Sequence, residues 1–88
     1  MYLHLGQESI IRTKEILGIF DLDTASLSRD TRAYLAAAQK AGRVVTVTEE
    51  LPKSFIVTAN GPRTVYLSQI SAGTLKKRSG YVEGISNL

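Results

Sequence analysis

The run Glu15-Ile16-Leu17-Gly18-Ile19-Phe20-Asp21-Leu22 is the most hydrophobic part of the chain and constrains the fold more than any other feature. Read as a strand, it points Leu17 and Ile19 one way and Ile16, Phe20 and Leu22 the other, because strand side chains alternate with a period of two. A strand that is apolar on both faces has to be covered on both. The 88 residues available make one domain, and chains this short bury only about 60–65% of their unfolded surface. Small domains make up the shortfall with disulfides, a metal or partner subunits. No Cys is present and His4 is the only His, so disulfides are excluded and no metal-ligand cluster is evident. A homo-oligomer is therefore the expected support, with Leu17, Ile19 and Phe20 as candidate interface residues.

The rest of the chain reads as a small α+β domain, rich in strands. Tyr2-Leu3-His4-Leu5 alternates and is closed by Gly6, predicting a short strand with Leu3 and Leu5 inward. Ser9 to Arg12 is expected to be extended. After a turn over Thr24–Ser28, Ser28 is a good N-cap and Asp30 falls in the favourable first turn. The helix then runs from Arg29 to Ala41, with Thr31, Tyr34, Leu35, Ala38 and Ala41 at helical spacing and Gly42 at C′.

Three strands are expected after it. Arg43–Thr48 places Val45 and Val47 on one face; Lys53–Ala59 places Phe55, Val57 and Ala59 together; Thr64–Ser68 opposes Tyr66 to Val65 and Leu67. The last two form an antiparallel hairpin through a four-residue loop, Asn60 to Arg63, since Pro62 removes a ladder donor and argues against a bare two-residue turn. Lys53 and Arg63 then fall at opposite ends of that hairpin. Ser71 caps a short final helix that Gly80 ends. Altogether, about five to six strands, one main helix and a short C-terminal helix are predicted, with residues 1–79 as a single domain and 80–88 as a flexible tail.

Charge is unevenly distributed along the chain. Residues 1–60 carry seven Lys/Arg and seven Asp/Glu, whereas 61–88 carry Arg63, Lys76, Lys77 and Arg78 against Glu83, so the formal charge of +3 sits on the last third. Like charges on one surface add their fields and attract a polyanion. The segment Ser71-Ala72-Gly73-Thr74-Leu75-Lys76-Lys77-Arg78 joins this charge to a helix start, whose N–H groups can hold a phosphate. A DNA phosphate suits it better than a nucleotide, since no fuller phosphate-loop pattern surrounds it. Three adjacent cations are also what an ordinary solvated helix face looks like, so both readings stand on these residues alone.

Signs of catalysis are weak. His4 lies on a terminal strand, where an exposed or hydrogen-bonded edge role fits better than that of a base. Asp21 and Asp23 lack a third ligand for a cation. Neither an enzyme nor a cofactor or small-molecule ligand is expected. The N-terminal residues have no basic segment followed by a long apolar run, so they do not resemble a signal peptide. No stretch approaches the ~20 apolar residues a membrane-spanning helix needs, and a cytoplasmic location is expected.

Four segments carry a resemblance: "YLHLGQE", "EILGIFDLD", "LPKSFIVT" and "VYLSQISAGTLKKR". In this order and spacing, across Met1 to Arg78, the chain resembles the bacterial extracellular matrix regulators of the RemA/RemB type, the RemB branch above all. The resemblance implies a non-enzymatic regulator linked to biofilm-matrix control. It also implies a β-rich fold akin to LytTR DNA-binding domains, and closed rings with a basic rim around which double-stranded DNA wraps. The RemA-type DNA face uses an arginine just before the first long apolar strand, where Glu15 stands here with Lys14 beside it. It also uses an arginine pair that becomes Pro52-Lys53, and a C-terminal arginine that matches Arg78. The resemblance and the charge together make Lys14, Lys53, Arg63, Lys76, Lys77 and Arg78 the candidate DNA contacts. With two arginines replaced, an oligomeric co-regulator that binds protein rather than DNA stays open as the alternative.

Overall fold

The alternation of β5, Ser54–Thr58, organises the structure: all five residues are buried, with Ile56 on one face and Phe55 and Val57 on the other. Only a central strand covered on both sides can look like this. The computed structural model describes residues 1–7, 9–25, 28–59 and 63–80. In chain order these form β1 (Tyr2–Gly6), β2 (Ser9–Arg12), a 3-10 turn (Thr13–Glu15), β3 (Ile16–Asp21), α1 (Leu22–Ala25), α2 (Arg29–Lys40), β4 (Val44–Thr46), β5, β6 (Thr64–Ser68) and α3 (Ala72–Ser79).

Strands β1 and β2 pair antiparallel as a separate two-stranded sheet, while the other four lie in the order β3-β5-β6-β4. The pairs β3–β5 and β5–β6 are antiparallel, and β4 runs parallel to β6. One face of the larger sheet is closed by the β1–β2 hairpin and α3, which bury Leu3, Leu5, Ile11, Ala72 and Leu75 against Ile19, Val47 and Ile56. The other face carries α2, whose Ala38 packs with Phe55, Val57 and Val65, flanked by Tyr34 and Leu35. Alanine at the contact lets the helix approach closely.

Local signals place the helices. Ser28 accepts a hydrogen bond from the Thr31 amide at the start of α2, and Ser71 accepts from the Thr74 amide at the start of α3. Gly42 and Gly80, both at φ 73°, sit just past α2 and α3 in the left-handed conformation that glycine adopts without strain. Asp21 closes β3 by accepting from the Asp23 amide at 2.8 Å. Buried hydroxyls tie the layers together: Ser54 Oγ donates to the Ile70 carbonyl at 2.7 Å, and Ser68 Oγ donates to the Leu5 carbonyl at 2.6 Å.

Two expectations change. The apolar run does not alternate simply, because a bulge between Ile16 and Gly18 shifts the register against β5. An extra residue in one strand re-aims the side chains after it. Ile16 therefore joins Ile19 on the closed face, while Leu17 and Phe20 line the side facing α2. Ile19 is 2% exposed, so it belongs to the core of the subunit and leaves the set of candidate interface residues. The strand expected over Arg43–Thr48 keeps ladder form only over Val44–Thr46, although the Val47 amide still bonds the Leu67 carbonyl at 2.9 Å. The Asn60–Pro62 part of the expected loop, and the tail from Tyr81, lie outside the described residues.

Candidate nucleic-acid interface

The six candidate DNA contacts do not form one cluster. Lys14 sits in the 3-10 turn that enters β3, and the neighbouring Glu15 carbonyl accepts from the Ala59 amide at 2.8 Å. Arg63 precedes β6 at that same end of the sheet, since Thr64 pairs with Thr58. Lys53 lies at the other end, where its amide donates to the Ser68 carbonyl at 2.8 Å. The opposition of Lys53 and Arg63 expected from the hairpin is therefore present. Strands of this length separate such ends by roughly 17–20 Å, so within one subunit these two side chains belong to different surfaces.

Lys76, Lys77 and Arg78 occupy the last turn of α3. Leu75, fully buried, anchors that turn to the closed face; burying a leucine contributes about 1.5–3 kcal/mol. Lys77 and Arg78 are exposed and Lys76 is half-buried. Cations at a helix C-terminus also suit the negative end of its dipole, so local stability and a basic surface are met by the same residues. The Ser71 cap lies about a turn away, and its hydroxyl donates to Thr74 Oγ1 at 2.9 Å.

On the other face of the sheet, the one that carries α2, lies an apolar opening. Leu17 and Phe20 of β3 are 51% and 42% exposed. Together with Tyr34, Phe55 and Val57 they line a groove of about 360 Å³ bordered by Asp30, Thr31 and Arg63. The Phe20 and Phe55 rings stack with centroids 5.0 Å apart. Phe20 can lie there because residue 18 is glycine: a Cβ at Gly18 would meet Phe20 Cζ at 2.4 Å. The Tyr34 hydroxyl is buried and has no hydrogen-bond partner among the described residues. Of the candidate interface residues, Leu17 and Phe20 are therefore at the surface.

Sequence reasoning missed several of these participants. Arg43 enters β4 and donates from Nη1 to the Arg63 carbonyl at 3.0 Å. Arg12 and Lys14, with Met1 and Tyr2, line a depression of about 320 Å³. Arg12 and Arg43 fall in a stretch that is neutral when charges are counted along the chain. Only the strand order shows where they end up. His4 is exposed, with Nε2 2.7 Å from the Gln7 carbonyl, and among the described residues no three His, Cys, Asp or Glu side chains converge as metal ligands. No helix among the described residues is long and apolar enough to cross a membrane.

Six strands in two sheets with the helices packed on them define the class, a small compact α+β domain. Within that class, the model of the RemA-like family, described as extracellular matrix regulatory protein A-like, matches residues 2–78, and the chain belongs to this family. It is also 35% identical over 82 residues to extracellular matrix regulatory protein B of Bacillus subtilis (strain 168), a match covering 93% of this chain and 94% of that relative.

Proposed function

We propose that this protein is a non-enzymatic DNA-binding regulator of extracellular-matrix genes, acting as a homo-oligomer on DNA phosphates. Membership of the RemA-like family carries the reading. It is supported by exposed Lys14, Arg63, Lys77 and Arg78, each on or next to an element of the fold. Contacts of this kind position a protein on a duplex and supply affinity without reading bases. The groove at Leu17 and Phe20 supports self-association, since it leaves aromatic and aliphatic surface uncovered in a single subunit. That groove also favours a second reading, an oligomeric co-regulator that binds protein and not DNA.

Duplex-DNA binding measured across a salt series, together with the mass of the free protein, tests both. The expected result is a mass several times 9.6 kDa and an affinity that falls with salt, with a slope of about 0.9 per phosphate neutralised. Leu17→Asp should lower the mass, because an unpaired carboxylate in a dry contact is strongly unfavourable. A monodisperse monomer at micromolar concentration removes the assembly. A stable oligomer indifferent to any duplex at low salt removes DNA and leaves the co-regulator.

A further inference from the structure

The fold sorts charge that the linear sequence interleaves. At the end of the larger sheet where β3, β4 and β6 begin, Arg12 and Lys14 flank the turn into β3, Arg43 enters β4 and Arg63 enters β6. The acids bordering this end are Glu15 and, on the groove rim with Arg63, Asp30. At the opposite end stand Asp21 closing β3, Asp23 in α1, and Glu49 and Glu50 after β4, and Lys53 lies there too. Counted over the strand ends and the turns that join them, the larger sheet thus has a basic and an acidic pole.

We propose that a DNA backbone lies across the basic pole, with Arg12, Lys14, Arg43 and Arg63 on its phosphates, and that Lys53 makes no DNA contact. The proposal rests on the DNA-binding reading above and adds Arg12 and Arg43 to it. Neighbouring strands lie about 4.8 Å apart, and in the order β3-β5-β6-β4 the entries of β3, β6 and β4 form a row about 15 Å long. One DNA strand presents about four phosphates over that length, at 3.4 Å of axial rise each.

Two features fix the row. Arg43 spends one of its donors on the Arg63 carbonyl, which holds its guanidinium beside Arg63; the remaining N–H groups suit phosphate oxygens. Tyr2 pairs in register with Arg12 across the β1–β2 ladder and is 64% exposed, so a phenol stands beside the cations in the depression at Lys14. The acidic pole repels DNA and so orients its approach, and Lys53 sits inside that repulsive field.

Fluorescence anisotropy with a labelled duplex, read across a salt series, tests this on the full chain. The triple variant Arg12→Gln, Lys14→Gln, Arg43→Gln should lower the salt slope by up to about 2.7 per subunit in contact, at about 0.9 for each phosphate. Lys53→Gln should leave the slope unchanged. Circular dichroism checks that the triple variant folds; if it does not, Arg12→Gln and Lys14→Gln singly, both at exposed positions, should each lower the slope by about 0.9. A slope that falls with Lys53→Gln and holds in the triple variant overturns the proposal. So does a triple variant that loses mass while its slope holds, which would mean that the basic pole engages the acidic pole of a second copy. A wild-type protein that binds no duplex ends the DNA-binding reading itself and takes this proposal with it.

Discussion

The two faces of the larger sheet are finished differently. On one, two strands and a helix close over the sheet, leaving Leu3 2% exposed and Leu5, Ile56 and Leu75 at 0%. On the other, α2 and Leu22 of α1 pack over β5 and β6, and Leu17 and Phe20 stay about half exposed beside the Tyr34 hydroxyl, which has no hydrogen-bond partner among the described residues. A twelve-residue helix is about 18 Å long, and its contact face of Tyr34, Leu35 and Ala38 does not span four strands. The closed face holds the subunit together; the open one is where apolar surface remains for a contact.

The same truncation on the two faces gives the sharpest contrast. Leu75→Ala should lower unfolding free energy by about 2–5 kcal/mol, the usual range for a fully buried leucine, measured by urea denaturation. Ser68→Ala should lower it by about 1–3 kcal/mol, because the Leu5 carbonyl and the Ile70 amide both lose the Ser68 hydroxyl. Tyr34→Phe should be neutral or stabilising by up to about 1 kcal/mol in the isolated subunit, since it removes a buried hydroxyl that has no partner among the described residues. A clear loss of stability in the assembled protein, with none in the isolated subunit, would place a hydrogen-bond partner for that hydroxyl in a neighbouring subunit. Leu17→Ala should shift the stability of the dilute, unassembled subunit by no more than about 0.5 kcal/mol. A cost equal to that at Leu75 would mean that the open face is closed by another copy throughout the dilution series.

Much of the architecture was legible because its signals are local. Ser28, Ser71, Gly42 and Gly80 mark helix ends through their own hydrogen bonds and backbone angles, and the alternation that puts Phe55 and Val57 on one face marks a strand. The bulge at Ile16–Gly18 was not legible, since it depends on how β3 meets β5, and it reversed the facing of Leu17 relative to Ile19. The parallel placement of β4 beside β6 was equally hidden. The candidate site shared that fate. Counting charge along the chain singled out Lys76–Arg78, whereas Arg12 and Arg43 acquire basic neighbours only after three strand starts are brought to one end of a sheet.

The bond from Ser68 to the Leu5 carbonyl joins residues 63 apart in sequence, and that separation governs when the molecule can finish folding. At about 5–20 residues per second, a ribosome makes Ser68 roughly 3–13 s after Leu5. Throughout that interval the β1–β2 ribbon lacks the Ser68 hydroxyl and the α3 residues Ala72 and Leu75 that complete its seat, and an isolated two-stranded hairpin is at best marginal in water. Leu3, Leu5 and Ile11 then stay incompletely covered until Ala72 and Leu75 of α3 join Ile19, Val47 and Ile56 around them. The strand synthesised first is seated last, so a nascent chain halted before residue 68 carries a sticky, unseated ribbon at its leading end.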